Sequence, residues 1–418
     1  TGLNDQMRAR FLRIQAGWQY QLYKSSISSK NTLIDITKCF EESISIVSND
    51  YKSWAGYAFA SSRALSHFEK LRSNFAINAI SGFLKATQLR PSESLEYLCQ
   101  MFSIIFRYGE KIELPQSIKN DIISLPASII ILIIPQIVVH IAHKAINVRE
   151  LVQNIINVFG TIHFQAVVFA LNVLSLLNES NFSQIAKEMM DSLGSKHPIV
   201  YEEAKLLIDG LNRSAITWLE DWLGAIDTAS RSRQSGDNKK IIDLLQKEFD
   251  KINNPICEDD HDFIKRFSLN IQKSKTLFNR FKEGDLSVST TMWESFRCFF
   301  NNMESRLRKL EYIKLNKFSE NLAKKRKFSL AVPGTYDVDL SYPYLDRIED
   351  TLTILNSQQH PRCIYMYDQK GIKWKFLLKG DEDLRVDQRI MKFFGLINTL
   401  LKTNRNTIDL NVSILKCT

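Results

Sequence analysis

Apolar residues recur at helical spacing along the chain up to about Arg306. Between Ser53 and Leu71, for example, they return every three or four positions, as on one face of an α-helix. The same pattern predicts helices over residues 83–89, 95–106, 147–177 and 182–193. Pro91 and Ser92 predict a break, with Ser92 capping the next helix. Paired helices with short turns are typical of an α-solenoid, although no strict sequence repeat accompanies them.

A compact helical bundle is predicted from about Tyr201 to Leu310. Its candidate core faces are Trp218, Trp222 and Ile226 in one helix, and Met292, Phe296 and Phe299 in a later one. Residues 235–238 (SGDN) supply a turn signal between these two helices. We interpret most of these aromatic side chains as core rather than as a ligand site.

Beyond Phe328 the pattern becomes that of short strands. Pro333 and Gly334 predict an extended linker, because neither residue suits a helix interior. Strands are predicted over residues 351–356, 363–367 and 372–379, with a turn at residues 369–371. A helix with a buried stripe of Ile390, Phe394, Ile397 and Leu401 follows, and residues 411–415 predict another strand. The fold class is therefore mainly α: an α-solenoid, then a four-helix bundle, then a partial α+β domain.

Charge and cysteine usage narrow the function classes. The formal net charge of +9 is spread thinly over 418 residues, with its densest cluster at residues 324–327 (KKRK). No basic, aromatic-rich strand motif accompanies this cluster, so we expect a solvated helix end and no nucleic-acid partner. None of the six cysteines forms a C-x-x-C pair, which fits a reduced, intracellular protein. His140 and His143 share a helix face without a third ligand, so no metal site is predicted.

One segment is apolar enough to be compared with a membrane span. Residues 122–142 include six consecutive Ile and Leu residues, but Pro126 and Pro135 interrupt the run. Two buried helices of the solenoid are therefore the preferred interpretation, and no transmembrane segment is predicted.

Polar residues around the predicted strands form a candidate nucleotide site. The loop at residues 356–361 (NSQQHP) contains the small Ser357, beside which backbone N–H groups can approach phosphate oxygens. Lys379 would place a positive charge on the phosphates, and Leu377, on the same face of the strand, would pack on an adenine ring. Glu382 or Asp387 would hold the lysine by an ion pair. A strand lysine is more often solvent-facing, so these residues alone leave a plain surface as the alternative.

Four segments near the end of the chain occur in a specific order and spacing. They are residues 330–337 (LAVPGTYD), 359–362 (QHPR), 376–389 (FLLKGDEDLRVDQR) and 394–401 (FGLINTLL). These segments resemble the start of the kinase domain of phosphatidylinositol-3-kinase-related protein kinases, most closely the target-of-rapamycin type. Upstream, residues 133–137 (IIPQI) resemble that family's helical FAT domain. Residues 215–222 (AITWLEDW) and 291–294 (TMWE) resemble the first and last helices of its rapamycin-binding bundle.

The resemblance implies a division of the chain into four parts. Residues 1–203 would be the C-terminal part of the FAT solenoid, with TPR/HEAT-like helices, and residues 204–312 a rapamycin-binding-like bundle. Residues 313–340 would link this bundle to a partial kinase N-lobe at 341–418. Because the chain starts with Thr1 and shows no catalytic-loop or magnesium-aspartate motif after Asp387, we expect it to be a fragment without catalytic residues.

The resemblance also implies roles for individual residues of the N-lobe. Lys379 matches the lysine that contacts ATP phosphates, with the acidic Glu382 near it, and Asp387 matches a helix aspartate deep in the ATP pocket. Ser357 matches the serine of the phosphate-binding loop. The apolar walls of the adenine pocket would be Leu355, Pro361 and Leu377. Val386 departs from the family, where glutamine is usual, and we expect little effect of this change.

The bundle departs from the family more strongly. The positions that match the rapamycin pocket are Ser230, Thr290, Trp293 and Phe300. Arg233, Gln234 and Arg297 stand where the family has aromatic residues. An apolar macrolide would bury two guanidinium groups there, which is costly if they are left unpaired. We therefore expect weak or absent binding of rapamycin with its immunophilin.

The resemblance implies a parent protein kinase that uses ATP and Mg²⁺ to phosphorylate Ser or Thr hydroxyls in growth and nutrient signalling. Its partners would be protein substrates and subunits of the target-of-rapamycin-complex type, and its location cytoplasmic, peripheral to endomembranes or nuclear. This chain alone would be inactive. One alternative is a kinase-like scaffold, or pseudokinase, of the same superfamily. A lipid kinase and a pure solenoid adaptor are further alternatives, disfavoured by the Trp218/Trp222 bundle and the predicted strands respectively.

Overall fold

The structure is a computed structural model and forms two compact units. It describes residues 2–25, 32–176, 180–357, 359–380, 384–403, 406–410 and 412–414. The first unit comprises Thr1–Tyr201, Tyr336–Ser341 and Arg385–Thr418, and the second comprises Glu202–Thr335 and Tyr342–Leu384. The described residues are mainly helical, with one small antiparallel sheet, which confirms the predicted fold class.

Eleven helices of the first unit follow one another along the described chain. They are α1 (Gly2–Lys24), α2 (Thr32–Ile46), α3 (Tyr51–Ala64), α4 (Arg72–Leu89), α5 (Ser94–Tyr108), α6 (Gln116–Ile123), α7 (Ala127–Ile130), α8 (Ile134–Ile137), α9 (Ile146–Ile162), α10 (Phe164–Ser175) and α11 (Ser180–Gly194). From α1 to α5, each helix packs on the next, as in a solenoid. At Gly82 an added Cβ would lie 2.9 Å from Ala58 Cβ, so glycine permits the close approach of α3 and α4.

The apolar run at residues 122–142 forms short helical turns rather than two full helices. Pro126 directly precedes α7 and Pro135 lies in the first turn of α8, where a missing N–H costs nothing. Its buried side chains include Ile129, Ile133 and Ile137. In the part of the chain that the structure describes, no helix has both the length and the apolarity to cross a bilayer.

The second unit combines a helical bundle with the sheet. Its elements are α12 (Pro198–Ala215, which starts before the unit boundary), α13 (Trp218–Gln234), α14 (Asn238–Ile252), α15 (Glu258–Lys282), α16 (Ser289–Leu307), β1 (Tyr312–Lys314), α17 (Leu315–Phe318), α18 (Glu320–Lys324), β2 (Leu345–Ile348), β3 (Thr351–Ile354), β4 (Arg362–Asp368) and β5 (Lys373–Leu378). Buried Glu203 on α12 accepts the Ser329 N–H at 2.6 Å and pairs with Lys325 at 2.9 Å, which fixes the chain after α18.

Aromatic side chains fill the core between α13 and α16. Trp222 is fully buried, with its ring centroid 5.0 Å from that of Phe249 and 5.3 Å from that of Phe299. The predicted inward face of α16, from Met292 to Phe299, is also buried. The helical spacing of aromatic residues therefore correctly predicted which faces form this core. Trp218 is only partly buried at its edge.

The sheet is entirely antiparallel and is centred on β4. β5 pairs with β4 along one edge from Arg362 to Tyr367, while β3 and β2 pair with successive parts of the other edge, and β1 pairs with β3. Buried Asp368 shapes the turn before β5, because its carboxylate accepts the N–H groups of Lys370 and Ile372 at 2.9 Å. Burial acts to raise the pKa of Asp368, but these bonds outweigh burial and hold the pKa below its usual value.

The sequence predicted β3, β4, β5 and the turn between the last two strands, but missed β1 and β2. β1 has only three residues, and a register shift interrupts the pairing of β2 with β4, so neither has a regular alternating pattern. The final helix, α19 (Leu384–Thr403), is present, but its predicted buried stripe is wrong: Ile390 is 41% exposed, and Phe394 and Leu401 are half-buried. Residues 412–414 have no strand structure, and the rest of that predicted strand lies outside the described residues.

Candidate nucleotide site

The loop between β3 and β4 is held by its own backbone hydrogen bonds. The Leu355 N–H donates to the Pro361 carbonyl at 2.9 Å, which continues the antiparallel pairing one step beyond β3. Within the loop, the His360 N–H donates to the Ser357 carbonyl at 3.1 Å. His360 has a φ of 45°, in the left-handed region that non-glycine residues rarely occupy. The described residues of the loop, 355–357 and 359–361, are therefore held in a tight turn.

A small cavity lies beside this loop in the second unit. It has a volume of about 150 Å³ and is lined by Ser357, Gln359, Pro361, Lys379 and Gly380. The structure thus brings together three of the residues that the sequence analysis assigned to a nucleotide site: Ser357, Pro361 and Lys379. The half-buried Lys379 supplies positive charge at the wall of the cavity.

The strand register explains why residues from separate strands meet at the cavity. Arg362 pairs with Leu378 and Cys363 with Leu377, so the next step aligns Pro361 with Lys379. Because side chains alternate across a sheet, Leu377 and Lys379 share one face, and Arg362 and Leu378 share the other. Leu355 and Leu377 are 40% and 48% exposed, so these two of the three predicted adenine contacts lie on accessible surface.

For the two predicted acidic residues, a place at this cavity stays a prediction. Glu382 lies outside the described residues. Asp387 is exposed in the first turn of α19 and belongs to the first unit.

The end of α12 and the residue after it support the side of the cavity formed by Gly380. An added Cβ at Gly380 would lie 2.9 Å from the Ala215 carbonyl oxygen and closer still to Ile216 Cγ1. Glycine therefore lets the end of β5 lie directly against residues 215 and 216, whereas any other side chain would force them apart.

A buried ion pair joins the start of α13 to β4. Arg362 is 1% exposed, and its guanidinium pairs with the carboxylate of Glu220. Glu220 also closes a capping box with Thr217: Glu220 Oε2 accepts the Thr217 N–H at 2.8 Å. Neither residue was predicted from the sequence to have a role at the site. The T-x-x-E spacing signals the cap, but nothing in the sequence signals that Arg362 points toward it.

The face that matches the rapamycin pocket is formed by α13 and α16, which pack together. Ser230 and Thr290 are exposed, Phe300 is half-buried, and Trp293 is 8% exposed. The guanidinium carbon of Arg233 lies 5.4 Å from the centroid of the Trp293 ring, within cation–π range. The positive charge of Arg233 therefore lies over Trp293, an aromatic residue of the predicted rapamycin pocket.

His140 and His143 belong to an aromatic cluster in the first unit. The His140 ring stacks on Phe106 with centroids 3.6 Å apart, and His143 Nδ1 accepts the Ala145 N–H at 3.1 Å. Burial, with a smaller contribution from His143, lowers the pKa of His140 to about 4, so this ring is neutral at pH 7. Among the residues that the structure describes, no three His, Cys, Asp or Glu side chains are grouped to hold a metal ion.

Two family models match the chain. The FAT domain model matches residues 2–103, and the FKBP12-rapamycin binding domain model matches residues 210–305. The second match covers the bundle from the end of α12 to α16.

Three relatives align over most of the chain. The serine/threonine-protein kinase tor1 of Schizosaccharomyces pombe is 26% identical, over 95% of this chain and 17% of the relative. The serine/threonine-protein kinase TOR of Arabidopsis thaliana is 26% identical, over 99% of this chain and 17% of the relative. The target of rapamycin homolog of Caenorhabditis elegans is 28% identical, over 82% of this chain and 13% of the relative.

The chain thus spans less than a fifth of the length of these curated relatives. The resemblance found in the sequence is confirmed, since both domain models match in the expected order and the relatives share the target-of-rapamycin name. The chain is thus similar to target-of-rapamycin kinases over most of its length, with a match to the FAT domain followed by a match to the FKBP12-rapamycin binding domain.

Proposed function

We propose that this chain is part of a serine/threonine protein kinase that transfers the γ-phosphate of ATP to Ser or Thr hydroxyls of proteins. The observation that carries the proposal is the cavity between Ser357, Pro361 and Lys379. Its lining combines a small residue in a turned loop with a cation, which suits the phosphate groups of a nucleotide. The names of the relatives support the same reaction class.

Within this proposal, each site residue has a stated task. Lys379 binds the phosphates as a point charge, and the loop at Ser357 approaches them with backbone N–H groups. Leu355, Pro361 and Leu377 contact the adenine ring. Glu382 orients Lys379, and Asp387 completes the deep end of the pocket. Mg²⁺ supplies charge neutralisation on the transferred phosphate when bound, and we assign it no ligand among these residues.

We also propose the division of the chain that the sequence suggested. It comprises a FAT solenoid at 1–203, a rapamycin-binding-like bundle at 204–312, a linker at 313–340 and a partial N-lobe at 341–418. Protein substrates and subunits of target-of-rapamycin-type complexes would be the partners, in growth and nutrient signalling in the cytoplasm. The position of Arg233 over Trp293 supports weak or absent binding of rapamycin with its immunophilin, because the ligand would have to displace or bury this charge.

Phosphate transfer from γ-labelled ATP to Ser/Thr peptides by the intact protein tests the proposal. Lys379→Met should reduce kcat/KM at least about 100-fold, because an uncompensated phosphate charge weakens both binding and transfer. Lys375→Met, four residues earlier on β5, is the matched control and should change kcat/KM less than about twofold. ATP binding without transfer would instead favour the kinase-like scaffold.

A further inference from the structure

The side chain of Arg362 connects two parts of the second unit. It extends from the face of β4 opposite Lys379 and is almost completely buried. One terminal nitrogen, Nη1, donates to the carbonyl oxygen of His360 in the nucleotide loop at 2.6 Å. The other, Nη2, pairs with Oε2 of Glu220 in the first turn of α13. A single guanidinium therefore bonds the loop and the bundle at once.

Glu220 is a fixed point for this contact. Its Oε2 accepts the backbone N–H and the hydroxyl of Thr217, both at 2.8 Å, and the Glu220 N–H bonds in return to Thr217 Oγ1 at 3.4 Å. The carboxylate is thus tied to the helix cap and has little freedom to follow Arg362. The guanidinium of Arg362 is thereby held against the start of α13.

The chemistry of this pair is costly for a purely structural contact. Burying a guanidinium and a carboxylate is expensive, and well-packed apolar residues often stabilise a core equally well. Arg362 also keeps its Nε buried without a partner among the described residues. Its planar fork, however, bonds two acceptors in fixed directions, which no apolar side chain can do.

We infer that Arg362 is a positioning residue that sets the nucleotide loop from the start of the bundle. Through the His360 carbonyl it fixes the turn that places Ser357 and Pro361 along the cavity. Residues 215 and 216 lie against Gly380, which also lines the cavity, so the chain at the junction between α12 and α13 contacts both Arg362 and Gly380. This inference rests on the proposed nucleotide-binding function.

Two variants separate positioning from stability. Arg362→Met removes both hydrogen bonds and leaves the Glu220 charge buried. The double variant Glu220→Gln with Arg362→Met restores electrical balance and keeps the capping box, because glutamine also serves at that position. The double variant should therefore recover most of the melting temperature, yet it still lacks the bond to His360.

Two readouts apply to the intact protein. The KM for ATP should rise about tenfold in both variants with kcat changed less than about threefold, the effect of losing one charge-assisted bond that orders a loop. Amide hydrogen exchange over residues 355–360 should accelerate about tenfold in both. Arg347→Met is the control. Arg347 lies on β2, with its guanidinium carbon 4.0 Å from the centroid of the Tyr367 ring, and its loss should leave the KM and the amide exchange unchanged.

The outcomes separate the inference from the function on which it rests. If the double variant regains the KM, the amide protection and the melting temperature of the unmodified protein together, that result would overturn the positioning role of Arg362. If the double variant does not regain its melting temperature, the variant Arg362→Lys tests whether Arg362 positions the loop. Its single ammonium keeps the pair with Glu220 but lacks the fork, so a raised KM supports the inference and an unchanged one overturns it. If the phosphate-transfer rate of the unmodified protein does not saturate with ATP, the proposed function is wrong. The inference is then tested by amide hydrogen exchange alone.

Discussion

The two candidate ligand sites of the second unit differ in how their residues are arranged. At the sheet, side chains that the sequence assigned to a nucleotide site line one cavity, with Lys379 at its wall. On the bundle, the helices present the stripe that matches a macrolide pocket, but Arg233 lies over the aromatic Trp293. At the first site the side chains leave a cavity, whereas at the second a guanidinium covers an aromatic ring.

This contrast separates what a fold provides from what residue identity provides. Antiparallel register brings Pro361 beside Lys379 whatever other residues surround them. A macrolide site on two packed helices depends on apolar side chains at a few positions, so two arginines are enough to change its chemistry without changing the helices.

Replacing the polar residues of the bundle face should produce the largest change. The triple variant Arg233→Tyr, Gln234→Phe and Arg297→Tyr should raise the affinity for the rapamycin–immunophilin complex about 100-fold, because it removes charge that the ligand would bury and adds aromatic area. Calorimetry with the preformed complex measures this effect. Arg231→Tyr, on the same helix but paired with Asp227, is the control and should gain nothing. Tight binding by the unmodified protein would contradict the contrast drawn here.

A change in the contact between Gly380 and residues 215 and 216 should have the next largest effect. Gly380→Ala should lower the free energy of unfolding of the second unit by about 2 kcal/mol, because the new Cβ overlaps Ile216 and approaches the Ala215 carbonyl. Chemical denaturation measures the loss. Ile216→Ala in the same chain should recover part of it by making room. If Gly380→Ala is neutral, the end of β5 does not lie on the bundle as described.

The start of α15 should show a smaller, pH-dependent effect. Burial, followed by the nearby Asp260 carboxylate, raises the pKa of Asp259 from 3.8 to about 6. A folded pKa above the unfolded one means that this group favours folding when protonated, and its contribution is lost as pH rises through about 6. Asp259→Asn should therefore add about 1 kcal/mol of stability at pH 7, and much less at pH 4, in parallel denaturation curves. An equal gain at both pH values would contradict this assignment.

The contact between Arg233 and Trp293 should have the smallest effect. Arg233→Ala should cost about 0.5 kcal/mol, the usual value of an exposed cation–π contact. It should also shift the tryptophan fluorescence, because the ring loses its cover. Lys240→Ala, on α14, provides a control for loss of a surface charge. An unchanged spectrum would mean that the guanidinium does not cover the ring in solution.

Local patterns predicted the elements well where burial is one-sided. Trp222 and Phe296 are fully buried, as helical spacing predicted, because one face of each bundle helix meets a single core. The stripe from Ile390 to Leu401 was predicted by the same rule, yet Ile390 is exposed and the rest is only half-buried, since periodicity identifies an apolar face but not what covers it. β1 and β2 were missed because pairing over long sequence separations holds these short strands, rather than a pattern of their own.

The candidate site was predictable in part. The resemblance indicated Ser357, Pro361 and Lys379, and they line one cavity. Arg362 and Glu220 could not be predicted as partners, because 142 positions separate them and each has an ordinary local explanation, as a strand residue and a helix cap. Arg362 and Glu220 come into contact only through the tertiary packing of the bundle against the sheet.

Covalent labelling of lysines with an acyl-phosphate derivative of ATP tests the central claim, that this cavity binds the phosphates of a nucleotide, most directly. The intact protein is labelled, and mass spectrometry of its peptides then assigns the label to individual lysines. We predict that Lys379 is labelled in preference to Lys373 and Lys375 of β5, and that excess unmodified ATP prevents the reaction. Labelling of the three lysines to the same extent, or labelling of Lys379 that ATP does not reduce, would contradict the account.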